Sequence, residues 1–344
     1  MDKKVARLLK KPQPQQLTQE WFSARQNAIT ASSAASLLIR DNNTCDNYIK
    51  LYNLQDTFKK DYKCCNPYSS KFDYFKTKVF GSKFKGSEAT FHGQKYEKVA
   101  SDIYSVKFDA SIFEFGLITH ETIPWLAASP DGITEKGIMI EIKCPYRRKI
   151  TGIPPFYYYI QCQLQLEVCD LEFCDFTEYT LVEFDTLQEW LDDETLEIDI
   201  HNKGLLIQIQ HLDEDGLPEK DTPKEYEYPP KQYIDNTAAL IGWSNHCLAN
   251  INKDLAISVS VVYYKVTDAS IVRIKRDQEW FNAVKPVLEK EWNKIIYYRQ
   301  GANKSKLIEE EVRSFESVPV VMSINYSKED LRNNCPLSDT ESDM

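Results

Sequence analysis

The sequence predicts a mixed α/β (α+β) fold, and three observations point there. Between Glu88 and Phe184 the pattern runs helix, three strands, helix, strand. The segment Gly137-Ile138-Met139-Ile140-Glu141-Ile142 is short, β-branched and mostly apolar, as a buried strand is. Before it apolar residues recur at helical spacing, at Tyr96, Val99, Ala100, Ile103 and Tyr104.

The elements follow in order. Thr18 can cap a helix carrying Trp21, Phe22 and Arg25. A second helix is expected from Thr30-Ala31-Ser32-Ser33 through Leu37, Leu38 and Ile39. Residues 41–86 read as irregular, with lysines interleaved among aromatic residues. A helix from Glu88 to Tyr104 precedes strands at 111–120, 125–128 and 137–144. Pro154-Pro155 opens the next helix at its first turn, and that helix runs to Val168. A strand over 172–184 closes the core. Beyond it the sequence predicts an acidic helix over 186–200, a strand over 204–210 and a polar loop over 213–230. A hairpin follows over 259–273, turning at Thr267-Asp268-Ala269-Ser270, then an amphipathic helix over 276–298. The domain reading is one domain over 1–314, with its core at about 15–185, C-terminal additions over 186–314 and a flexible tail over 315–344.

The chain has 344 residues, 42% of them hydrophobic, with 16 Phe and 20 Tyr, enough to fill a sizeable core. No apolar run approaches a membrane span, and no signal-peptide core follows Met1, so an intracellular, reducing location is expected. Nine cysteines, an odd and scattered set, do not form a disulfide framework, and Cys162, Cys169 and Cys174 are poorly spaced for a metal. The net charge of −10 argues at first against a nucleic-acid partner. Its distribution argues the other way: residues 1–150 hold 24 Lys+Arg against 16 Asp+Glu, and the remainder holds 18 against 36.

The chemistry concentrates at Ser129-Pro130-Asp131-Gly132 and Glu141-Ile142-Lys143-Cys144-Pro145. Asp-Gly alone is a common turn, and Glu-x-Lys occurs on many exposed strands. Here Glu141 and Lys143 share one side of an otherwise apolar strand, where burying charge is costly unless it is paired or binds metal. Asp131 and Glu141 are the expected metal ligands, with the backbone carbonyl of Ile142 between the two key side chains as a further one. Glu97, from the preceding helix, adds the third carboxylate that a site for two Mg²⁺ ions needs, and Mn²⁺ should substitute. Lys143 is expected to orient and help deprotonate the attacking water and to offset charge in the transition state. Gln161, with Tyr158 and Gln165, shares a helix face that can hold that water or a phosphate oxygen. Arg25 and Ser32 offer bidentate and hydroxyl contacts to a phosphate, and Arg147-Arg148-Lys149 can meet a phosphate backbone.

These residues, with Trp21-x3-Arg25-x3-Ile29-Thr30-Ala31-Ser32, Gly93-x3-Glu97 and Tyr158-x2-Gln161-x-Gln163, occur in the order found in lambda-type exonucleases. The sequence thus resembles the YqaJ-like viral recombinases of the PD-(D/E)XK superfamily over about residues 15–185. The resemblance implies a restriction-endonuclease-like core with a central mixed sheet. It implies Mg²⁺-dependent 5′→3′ degradation of one strand of linear duplex DNA to 5′-mononucleotides, leaving 3′ single strands for viral recombination, repair or replication. It places the 5′-phosphate end at Arg25 and Ser32. It further implies a single-strand-annealing partner protein, toroidal homotrimers in some members, and a nuclear or cytoplasmic site of virus replication. The alternatives are a structure- or site-specific endonuclease of the same superfamily and a non-catalytic DNA-binding recombination scaffold.

Overall fold

The computed structural model describes residues 1–55, 64–81, 86–194, 203–212, 224–251 and 257–316. The helices are α1 (Lys3–Lys10), α2 (Gln19–Gln26), α3 (Asn42–Leu51), α4 (Lys71–Phe80), α5 (Glu88–Phe108), α6 (Phe156–Cys169), α7 (Leu187–Asp192), α8 (Thr237–Asn250), α9 (Gln278–Arg299) and α10 (Lys304–Glu316). The strands are β1 (Ile29–Thr30), β2 (Ile112–Phe113), β3 (Ile118–Thr119), β4 (Leu126–Ala128), β5 (Gly132–Thr134), β6 (Ile138–Lys143), β7 (Phe173–Phe184), β8 (Lys203–His211), β9 (Glu225–Glu227) and β10 (Ile257–Lys275).

Seven strands form a central mixed sheet in the order β2-β5-β6-β7-β10-β8-β9, and β1-β4-β3 form a small second sheet. Only β6–β7 in the large sheet and β1–β4 in the small one are parallel pairs. Period-2 alternation divides β6 cleanly. Ile140 and Ile142 pack with Tyr96, Val99, Ala100 and Ile103 of α5, whereas Met139 packs with Ile160 and Leu164 of α6 on the other face. Glu141 and Lys143 therefore share the α6 face. α6 is the central helix, with twelve of its 14 residues buried. α9 covers the same core through Trp280, Phe281, Val284 and Leu288. The acidic C-terminal half is thus interleaved with the basic half in one sheet. No helix among the described residues is long and apolar enough to cross a membrane. The eight described cysteines are free.

Several elements differ from expectation. Residues 30–37 enter as a short strand and a 3-10 stretch (Ala31–Leu37) rather than an α-helix. The irregular 41–86 region contains α3 and α4, opened by capping boxes at Asp41–Thr44 and Ser70–Asp73. The single strand over 111–120 is two, broken at Gly116, where a Cβ would lie 2.0 Å from the Pro14 carbonyl oxygen. The expected hairpin over 259–273 is one long strand, β10, bonded to β7 on one side and β8 on the other. Its turn-like Thr-Asp-Ala-Ser is a bulge between Val266 and Asp268, where Thr267 meets Thr180 side chain to side chain at 3.0 Å. The acidic helix ends at Asp192, and 195–202 lie outside the described residues. Residues 213–223 of the polar loop and 317–344 of the tail lie outside them as well.

Candidate active site

The site is built by a tight hairpin. Gly132 pairs with Ile140 and Ile133 with Met139, so the next position of each strand sets Asp131 opposite Glu141. Like charges directly across an antiparallel pair repel. The strands part there: the Ile142 N–H donates to Asp131 Oδ2 at 2.7 Å instead of to a ladder carbonyl. Gly132 is hemmed in, since a Cβ would lie 2.5 Å from Ile112 Cγ2.

Glu141 is completely buried. Its Oε1 accepts from the Lys143 ammonium and from Gln161 Nε2 at 2.6 Å, and its Oε2 accepts from Gln165 Nε2 at 2.7 Å. The two glutamines were expected to hold water or phosphate; in the structure they hold the carboxylate. Gln163 lies off that face and ties α6 to the Lys275 carbonyl and the Asp277 N–H, both at 2.8 Å. Burial, then Glu141 and Glu97, push Asp131 well above the usual carboxylate range. Glu97 sits at the open mouth of the cleft, yet its carboxyl end is crowded by protein, and this desolvation, with Glu141 and Glu114, raises it too. Burial works to lower Lys143, but Glu141, Asp131 and Tyr158 outweigh it and hold the ammonium charged.

Three carboxylates thus face one ammonium. Among the described residues no three His, Cys, Asp or Glu side chains are gathered tightly enough to enclose an ion by themselves. The donor set nevertheless fits a divalent hard cation: burial and mutual repulsion make Asp131 and Glu97 resist ionisation, which a bound cation would relieve, and Gln165 Oε1 is buried without a hydrogen-bond partner. Asp131, Glu141 and Glu97 would hold it, with Ile142 between them.

Two cavities flank this point and share Gln94, Glu97 and Ile142 as their common wall. One, of about 280 Å³, has Gly93, Lys143, Arg148 and the rings of Tyr68, Tyr146, Tyr157 and Tyr158 around it. The other, of about 710 Å³, reaches Asp131, Glu114 and Gln13. Lys143 and Arg148 lie over the Tyr158 ring at 5.0 and 6.0 Å from its centroid.

Arg25 and Ser32 come together as expected. Arg25 lies over the Trp21 ring at 4.2 Å and donates to Ser32 Oγ at 3.4 Å. Their module is joined to the carboxylates: β1 pairs with β4, Trp21 Nε1 donates to Ser129 Oγ at 3.0 Å, and Asp131 follows directly. Of the basic run, Arg147 and Lys149 are exposed, whereas Arg148 pairs with the fully buried Glu178. Arg148 nonetheless also lines the smaller cavity beside Lys143. Glu178 aligns with Lys143 across the β6–β7 pair and escaped the sequence reading. Its signal was that of Glu141, a charge on the apolar face of a strand, alongside Cys174 and Phe176.

A hairpin thus opposes Asp131 to Glu141-x-Lys143 on a mixed sheet between α5 and α6. Residues 20–172 match the model of the YqaJ-like viral recombinase domain. An uncharacterized protein of Acanthamoeba polyphaga mimivirus is 27% identical over 351 residues, covering 91% of this chain. This chain spans 59% of that protein's length. Among solved structures, LHK-Exo in complex with dAMP aligns over 87% of this chain and 99% of its own, at 17% identity and a TM-score of 0.44. A phage-related exonuclease from Haemophilus somnus aligns over 78% and 95%, at 15% identity and a TM-score of 0.38.

Proposed function

We propose that the protein is a Mg²⁺-dependent DNA exonuclease that degrades one strand of linear duplex from its 5′ end, releasing 5′-mononucleotides. The observation that carries this is the opposition of Asp131 and Glu141 beside Lys143, joined through the β1–β4 pair to the hydrogen-bonded Arg25 and Ser32. When bound, Mg²⁺ would supply Lewis acidity at the scissile phosphate, and a second ion fits the three-carboxylate reading. Lys143, held as an ammonium, can donate to the attacking water and offset phosphate charge; as an ammonium it cannot take the water's proton. Gln161 and Gln165 fix the rotamer of Glu141 and act through it. Arg25 and Ser32 would hold the 5′-phosphate, which sets the polarity of degradation. The 3′ single strand left behind would serve viral recombination with an annealing protein, and a ring of three subunits is the assembly the family resemblance carries.

The test is digestion of end-labelled linear duplex, with a 5′-phosphate or a 5′-hydroxyl, beside a closed circle. Mononucleotides released from the 5′-phosphorylated end, an intact circle and loss of activity in EDTA are expected. Nicking of the circle at a comparable rate would replace this reading with that of an endonuclease.

Gly93 gives a second test. It sits inside α5 on the wall of the smaller cavity, and a Cβ there would meet no atom within 4 Å. Packing does not demand this glycine, which weakens its helix by roughly 1 kcal/mol relative to alanine. Gly93→Ala is therefore expected to raise stability by about that amount. Gly93→Leu should fold normally but lose about 100-fold or more in kcat/KM, its side chain standing where the scissile nucleotide lies. Full activity of a folded Gly93→Leu enzyme would show that the cavity is not used.

A further inference from the structure

Behind Arg25 lies a cluster that the nuclease chemistry leaves unexplained. Lys78 of α4 is only 6% exposed. Its ammonium donates to the Arg25 carbonyl oxygen and, at 2.7 Å, to that of Ala28. Arg299, at the end of α9, donates through Nε to the Lys78 carbonyl at 3.0 Å, through Nη2 to the Gln26 carbonyl, and through Nη1 to Asn27 Oδ1 at 3.3 Å. Gln26 closes the ring by donating to the Thr77 and Lys78 carbonyls at 2.9 and 2.7 Å. Two cations from distant parts of the chain thus cap the C-terminal carbonyls of α2, where the helix dipole favours positive charge.

The charged and titratable groups facing Lys78 are Arg25 from α2, Tyr74 from its own helix and Arg299 from α9. Among the described residues no carboxylate is with them. Three cations held close together in a half-buried place repel one another. Such an arrangement suits a place where an anion arrives.

We propose that Lys78 and Arg299 are positioning residues of the DNA-end pocket, clamping the last turn of α2 so that Arg25 stays extended over Trp21 toward Ser32. The proposal rests on the reading of Arg25 and Ser32 as the seat of the 5′-phosphate. It makes α9, which lies outside the residues that match the family model, part of that seat. It also makes end recognition sensitive to protons. Burial, then Arg25 and Arg299, lower Lys78 to about 7, so its charge is present below that value and absent above it. A terminal phosphate has its second pKa near 6, so it keeps its double charge while Lys78 loses its proton.

The experiment measures binding of full-length protein to 5′-phosphorylated and 5′-hydroxyl duplexes by fluorescence anisotropy in EDTA, where no cleavage intervenes. The wild-type preference for the phosphorylated end is expected to fall about threefold or more between about pH 6.5 and about pH 8. Lys78→Met should flatten that profile and lower the preference at about pH 6.5 by roughly fivefold. Arg299→Gln should lower it comparably, and Arg299→Lys should restore part of it. Binding of the 5′-hydroxyl duplex should stay within about twofold throughout. A preference kept by folded Lys78→Met and Arg299→Gln variants overturns the positioning role alone. A wild-type protein with no preference overturns the pocket reading, and this proposal with it. If Lys78→Met fails to fold, Arg299→Gln decides the matter.

Discussion

Lys143→Ala is expected to reduce DNA cleavage by roughly a thousandfold while leaving DNA binding within about threefold, since one preorganised charge at a developing oxyanion contributes about 3–4 kcal/mol. The ammonium touches Glu141 and rests over Tyr158, and among the described residues no other cation is hydrogen-bonded to the carboxylates. Arg25 on α2 and the exposed Arg147 and Lys149 just beyond β6, which would meet the DNA backbone, stay intact. Glu141→Gln should be nearly as inactive, for a different reason. It removes a charge that would hold the metal and leaves Lys143, Gln161 and Gln165 all donating toward a neutral amide. Lys143→Arg keeps the charge but brings a planar fork to a site shaped for a point charge, so partial activity is expected. Single-turnover cleavage of end-labelled duplex, with anisotropy for binding, separates these effects. Unchanged cleavage by Lys143→Ala would remove it from the mechanism.

The parts of this site that could be read from sequence are those whose chemistry is local. The ten-residue interval from Asp131 to Glu141 is one tight hairpin, and the Glu-x-Lys alternation places both charges on one face of β6. The short β5 was missed because Gly-Ile-Thr is too brief to show a period. α3 and α4 were missed although their capping boxes were present, because lysines and aromatic rings at mixed spacing hid the helical stripe. Pairings across long stretches of chain left no local trace. Arg148 finds Glu178 thirty positions on, and Arg299 finds Lys78 from the far end of the fold. β10 reads as a hairpin by its turn residues, yet β7 and β8 hold it extended from both sides. Tertiary pairing overrode local preference there, as it commonly does in sheets.

Without divalent cation, the crowding of Asp131, Glu141 and Glu97 should cost stability, and the sign follows from the direction of the shifts. Asp131 is raised well above its ordinary 3.8 and Glu97 is raised above 4.5. Each takes up a proton more readily folded than unfolded. Their contribution is therefore fully present below the ordinary carboxyl values and is lost as pH rises from there through the raised, folded values. Lys78 works the other way: lowered to about 7 in the fold, it favours the folded state as pH climbs from there toward its ordinary 10.5. The two trends overlap, so the comparison that isolates the site is wild type against Asp131→Asn, which can keep the acceptor for the Ile142 N–H. In EDTA at about pH 8 the variant should melt about 1–2 °C above wild type, the shift expected for roughly 1 kcal/mol in a chain of this size. At about pH 4 the difference should vanish. Mg²⁺ at 100 times its dissociation constant should stabilise wild type by about 2.7 kcal/mol, and Asp131→Asn by far less. Equal melting temperatures for the two proteins at every pH, with and without Mg²⁺, would mean that these carboxylates neither repel one another nor share an ion. The opposition of Asp131 to Glu141 would then be a structural accident of the hairpin rather than the centre of a nuclease.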